Sequence, residues 1–210
     1  MEQIQETPSP GRRELNRREK LRSIESAGRD LFTAKGFEET TTRELARAAG
    51  VGTGTLFLYF PEKRDLLLHL FQRDVKEVQE RAFQSVPVQA PLIEQLGHVF
   101  ERCFDFYERD LRLSRAFVRE LLFTDPEARR EHSCEDVFAK EISMLAAAAQ
   151  ERGELRGDLD RCRAALLLMN VYLLGLTGWL LGNLPSRAEL DETVRTSLEL
   201  CFRGLAAPTG

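Results

Sequence analysis

The chain has 210 residues, of which 42% are hydrophobic and 30% charged, with a formal net charge of −4. That is enough apolar material for one large domain or a small plus a medium one, and the acidic balance excludes a surface that clings to nucleic acid all over. Charge is unevenly spread: residues 1–64 hold 12 Lys+Arg against 10 Asp+Glu, a net of +2, which leaves 18 against 24, a net of −6, for residues 65–210. A mildly basic head on an acidic body suits a protein that meets phosphate at one end only.

Residues 1–15, with two prolines, a glycine and few apolar groups, are expected to form a disordered basic tail. Arg12 to Arg22 contains six basic and two acidic residues. It reads either as a solvated flank or as an arm adding phosphate or minor-groove contacts. A helix is predicted from Asn16 to Lys35, with Leu21, Ile24, Gly28, Leu31 and Phe32 on its buried face, ended by Gly36.

The stretch Thr41–Leu68, TTRELARAAGVGTGTLFLYFPEKRDLLL, carries most of the information. Thr41 precedes Glu44 by three residues, the spacing of a capping box. Leu45, Ala46 and Ala49 make a small apolar stripe, and Gly50 is positioned to end the helix in the left-handed region. A second short helix then runs to Phe60, where Pro61 stops it. Two helices joined by a short glycine-containing turn are the helix-turn-helix plan for seating a helix in the DNA major groove. With Leu56 and Phe60 inward, Gly54 and Leu58 point the other way, flanked by Thr55 and Phe57. Thr53 sits at the helix start, where base edges are met. Gly54 permits close backbone approach, and Leu58 suits a thymine methyl. Tyr59 reads either as a phosphate contact or as a partly buried core residue; Lys63 can reach phosphate.

AGVGTGTLFLYFPEKRDLL, with GFEETTTRELARA before it, resembles the DNA-binding signature of the TetR family of transcriptional regulators over roughly residues 20–70. Carried over residue by residue, the resemblance places DNA contacts on Thr42, Arg43, Thr53, Gly54, Thr55, Phe57, Leu58, Tyr59 and Lys63. Many members have a phosphate-binding tyrosine where this chain has Phe57, and a common serine is replaced by Gly52. The resemblance implies a homodimer whose last two long helices, about 159–181 and 187–205, pair with their copies.

Beyond the head, helices are predicted over Glu62–Gln84, Leu92–Arg109, Leu111–Phe123, Pro126–Arg152, Leu159–Leu181 and Arg187–Leu205, with Ser85–Pro91 as a linker and no strand pattern. Phe100, Phe104, Phe106, Tyr107, Phe117 and Phe123 concentrate in two of these helices. One such residue is ordinary core; together they suit a small-molecule pocket. Asn170, Tyr172, His98 and Glu120 either face a ligand or satisfy one another. Ala164–Gly182 is long and apolar enough to approach a membrane span, but Asn170, Thr177 and three glycines favour a helix buried in protein.

Enzyme chemistry finds no support. His69, His98 and His132 are isolated, no GxSxG, HExxH or phosphate loop occurs, and the glycine-rich GVGTG is not preceded by a strand. Cys103, Cys134, Cys162 and Cys201 lack metal-ligand spacing. Without a signal peptide they are expected as reduced thiols in the cytoplasm.

The expectation is therefore an all-α protein without cofactor or metal. A tail (1–15) leads into a three-helix helix-turn-helix domain (16–64), followed by a larger helical ligand-binding and dimerisation domain (65–210). Its function would be a dimeric repressor released from a palindromic operator by an apolar or aromatic effector, lodged among Phe100, Phe104, Tyr107, Phe117, Glu120, Phe123 and Asn170. The alternative is a second domain that only dimerises or docks protein.

Overall fold

The computed structural model describes residues 11–123 and 135–205. These form the helices α1 (Arg12–Lys35), α2 (Thr42–Ala48), α3 (Thr53–Tyr59), α4 (Lys63–Gln84), α5 (Leu92–Glu108), α6 (Leu111–Leu122), α7 (Glu135–Glu151), α8 (Arg161–Leu180) and α9 (Arg187–Leu205), with no strand among the described residues. The all-α expectation holds. Helix α1 starts four residues ahead of the expected Asn16. Arginine and leucine are good helix formers, Glu14 lies in the favourable first turn, and it pairs with Arg18 one turn on (3.1 Å). Arg12–Leu15 are thus helical behind the N-cap Gly11, and residues 1–10 of the expected tail lie outside the described residues.

Two compact units divide at Leu70/Phe71, inside α4. In the first, Ile24, Phe32, Phe37, Leu45, Leu56 and Phe60 are buried. Leu21, Leu31 and Val51 are only half-buried. Gly28 lets α1 approach the start of α4 closely, because a Cβ there would stand 2.9 Å from Leu66 Cδ2.

In the second unit, α8 packs against α7 and α9. Phe104 stacks on Tyr172 with centroids 5.2 Å apart, and Phe138 lies 4.9 Å from the same ring. Gly175 is where α8 meets α9: a Cβ would fall 2.6 Å from Val194 Cγ2 and 3.0 Å from Leu190 Cδ1. Arg187, only 16% exposed, joins α9 to α5 by pairing with Asp105 and Glu108 while also holding Asp191 (2.8–3.0 Å). Among the described residues one helix, α8, is long and apolar enough by composition to cross a membrane, with half of that window buried inside the protein. Ala165, Leu168, Met169, Tyr172, Leu176 and Trp179 are its buried face.

Candidate nucleic-acid interface and ligand cavity

The first unit is built from local rules. Thr41 Oγ1 accepts from Glu44 N (3.2 Å) and Glu44 Oε2 accepts from Thr41 N (3.0 Å), which completes the capping box. The Lys35 ammonium, followed by the Thr41 backbone and hydroxyl, holds the Glu44 carboxyl well below the ordinary 4.5, at about 2. A carboxylate lowered on folding stabilises the fold fully above its unfolded value and stops doing so as pH falls through its folded one. The advantage of the wild type over Glu44→Gln in melting temperature should therefore be full above about pH 4.5 and vanish as pH falls through about 2. Thermal melts across that window check it.

Helix α2 ends as the sequence predicts. Gly50 has φ +66°, Val51 N donates to Ala46 O (2.9 Å) and Gly50 N to Arg47 O (3.2 Å). That pairing closes the orphan carbonyls in a Schellman turn. Helix α3 starts from Gly52 without a side-chain cap. Leu56 and Phe60 are buried, whereas Thr53, Gly54, Phe57 and Leu58 are exposed, Leu58 at 85%. Helix α3 carries no charged side chain, so its outer face is two hydroxyls, bare backbone and apolar carbon. Gly54 has nothing within 4 Å of a virtual Cβ. Thr42 is half-buried and Arg43 exposed at the start of α2.

Two residues of the expected set do more than face outward. Tyr59 is half-buried, and its hydroxyl donates to Arg17 O (3.2 Å), tying α3 to α1. Lys63 has its ammonium engaged: Nζ donates to Phe37 O (2.6 Å), Thr40 O (2.9 Å) and Glu38 O (3.3 Å), and stands 4.3 Å above the Phe37 ring. The break of α1 at Gly36 leaves these loop carbonyls in need of a donor, and the first residue of α4 supplies it.

The second unit contains a cavity of about 280 Å³, near the lower end of the range for ligand sites. Its wall joins α4 (Gln72, Val75, Gln79) to Tyr107, α6 (Phe117, Val118, Leu121, Leu122), Phe138 and α8 (Met169, Asn170, Tyr172, Leu173, Leu174, Leu176, Thr177), and among the described residues it includes no Lys, Arg, Asp or Glu. Of the expected ligand residues, Tyr107, Phe117 and Asn170 line it. Phe100 and Phe104 do not; they are fully buried against Tyr172 and belong to the core. Glu120 lies outside the lining. Phe123 is 84% exposed, because α6 ends at Leu122 and carries the packed face no further. Sequence reasoning missed Gln79 and Met169. Gln79 had no clear signal, because Val78 beside it completes the apolar stripe Leu67, Phe71, Val75, Val78, Ala82 of α4. His98 meets Ser85 Oγ (2.9 Å) and His69 meets Glu25 (2.7 Å), away from the cavity. His132 and Cys134 lie outside the described residues, and these contain no cluster of three or more metal-ligating side chains.

A capped helix, a left-handed glycine turn and an exposed second helix on a small basic unit define a helix-turn-helix DNA-binding protein. The chain belongs to the TetR family. Residues 24–70 match the model for bacterial regulatory proteins of the tetR family, and residues 72–204 match the C-terminal domain of TetR/AcrR family transcriptional repressors. It is accordingly a DNA-binding transcriptional repressor of that family. It is 24% identical to the fatty acid metabolism regulator protein of Bacillus subtilis, over 90% of this chain and 97% of that one. It is 28% identical to the transcriptional repressor KstR of Mycobacterium tuberculosis, over 78% and 72%. Among solved structures it resembles Thermus thermophilus FadR, a TetR family repressor in complex with lauroyl-CoA. The TM-score is 0.74 at 28% identity, covering 90% of this chain and 96% of that one.

Proposed function

We propose that this chain is a homodimeric, cytoplasmic repressor that leaves a palindromic operator when its second unit takes up a molecule with an apolar, acyl-like chain. The observation that carries the reading is the 280 Å³ cavity without an ionised side chain among the described residues of its wall, part of which is α4, the helix that begins beside the DNA-binding helices. Lauroyl-CoA in the Thermus thermophilus relative supports the acyl class. Residues 16–64 would serve DNA, and residues 65–210 effector and dimer. Tyr107, Phe117 and Asn170 would touch the ligand. The exposed leucines Leu166, Leu167, Leu174 and Leu181 of α8 and its end, with Leu200 of α9, would meet their copies. To release DNA the ligand must favour the non-binding conformation by about 1–3 kcal/mol.

On the DNA side, Thr53, Gly54, Thr55, Phe57 and Leu58 enter the major groove, and Thr42, Arg43 and Tyr59 flank it, with half-sites about 34 Å or more apart. Lys63 positions this face. Affinity comes mainly from phosphates and falls steeply with salt.

Selection of bound sequences from a random duplex pool tests the DNA half; the expected result is a palindrome. Thr53→Ala should alter the selected consensus. Gly54→Ala should raise helix stability by about 0.5–1 kcal/mol while weakening operator binding at least tenfold, since only a methyl at the closest point of approach is added. A tighter or unchanged operator complex for Gly54→Ala would overturn the placement of that residue. For the effector half, lauroyl-CoA should raise the melting temperature with concentration and release a labelled operator. No shift with lauroyl-CoA or other lipophilic compounds would favour a second unit that only dimerises.

A further inference from the structure

The cavity wall contains a buried acceptor that nothing among the described residues satisfies. Gln79 is 7% exposed, and its Oε1 has no hydrogen-bond partner. The hydroxyl of Tyr172, 2% exposed on the same wall, is engaged by Tyr107 and Cys103. Thr177 is satisfied too, because its hydroxyl donates to Leu173 O (2.7 Å) within α8. Asn170 is exposed and belongs to the rim.

Gln79 and Phe138 are shared with a second space of about 230 Å³, which Lys76, Glu80 and Glu141 flank. The amide therefore stands on the partition between an apolar cavity and a polar cleft. Among the described residues of the cleft there are two carboxylates and one ammonium, and Glu80 lies 3.9 Å from that ammonium, so these side chains leave an arriving anion facing net negative charge.

We propose that the cavity takes a molecule whose apolar body carries an uncharged hydrogen-bond donor, a hydroxyl or an amide N–H, and that Gln79 is the specificity-determining residue that receives it. The inference rests on the reading of the cavity as an effector site. An amide oxygen can only accept, so an ether or a carboxylate cannot satisfy it, whereas a hydroxyl can. The bond forms away from water, where an unmet acceptor is costly and a met one is strong.

Isothermal titration of the full chain with 1-decanol, decyl methyl ether and decanoate tests this. The alcohol and the ether share a chain and an oxygen and differ in the donor. Wild type should bind 1-decanol about tenfold more tightly than the ether, and decanoate more weakly than 1-decanol. Gln79→Met should keep the affinity for the ether and lose the preference for the alcohol. Its unliganded melting temperature should be no lower than that of the wild type, because a buried amide without a partner is replaced by a side chain of similar shape. Equal affinities of alcohol and ether in the wild type, or an undiminished preference in Gln79→Met, would overturn the role of Gln79 and leave the effector site standing. If none of the three probes nor lauroyl-CoA binds, the effector reading falls with it.

Discussion

Replacing Lys63 with methionine should lower the unfolding free energy of the N-terminal unit by about 2–4 kcal/mol. The side chain keeps most of its length, so the change isolates the ammonium. That group donates to three carbonyls of the loop between α1 and α2 and sits over the Phe37 ring. Hydrogen bonds to charged groups are worth about 1.5–3 kcal/mol each, and the cation–ring contact about 0.5–1 more. The loop carbonyls recover part of this by turning to water, which brings the sum down to the stated range. Urea denaturation and amide exchange of residues 36–41 measure it, with exchange rising selectively in that loop. DNA affinity at low temperature, where the variant remains folded, separates the two roles a lysine can have here. A phosphate contact predicts unchanged stability, uniformly weaker binding on all duplexes and a salt slope shallower by about one. That outcome would return Lys63 to the DNA surface.

Gly175→Ala should cost the second unit about 1–3 kcal/mol, the usual price of forcing a methyl into a filled interior. The added carbon would lie 2.6 Å from Val194 Cγ2, so either the valine turns or α8 and α9 separate. Because the obstruction is one side chain, it should be relieved by trimming that side chain. In a double-mutant cycle Gly175→Ala should be nearly free of cost in a Val194→Ala background, with a coupling of at least 1 kcal/mol. Additive effects would mean that Leu190, at 3.0 Å, or the backbone carries the strain instead.

These two sites mark the boundary of what could be read from the residues alone. Interactions within about four positions were legible, because capping and turn chemistry depend on spacing. Thr41 with Glu44, the φ of Gly50 and the stop at Phe60 follow from adjacent letters. The buried face of α8 was legible for another reason: an apolar helix interrupted by glycine, threonine and asparagine suits protein better than lipid. Lys63 was not legible, since its acceptors lie 23 to 26 residues back and belong to a loop whose carbonyls no side chain announces. The aromatic residues pointed to a pocket in the right half of the chain but not to its wall. Whether Phe104 or Phe117 borders empty space depends on how α4, α6 and α8 cross, and that is decided by packing. Gln79 was not legible, because Val78 beside it completes the apolar stripe of α4. Its lack of a partner appears only once its neighbours are known.

Helix α4 bears on how portable the two units are. The line between them falls at Leu70/Phe71, mid-helix, with Lys63 the eighth residue before it and Gln79 the ninth after. A chimaera joined at that line would graft one half-helix onto another, and any error in phase turns the cavity-lining positions 72, 75 and 79 by 100° for each residue gained or lost. The segment 85–91, after α4 has ended, is the better suture. A head exchanged there brings its own α4 and with it part of the ligand wall. The DNA specificity and the chemical sense of this protein are therefore not independently heritable: whatever inherits the first inherits a share of the second.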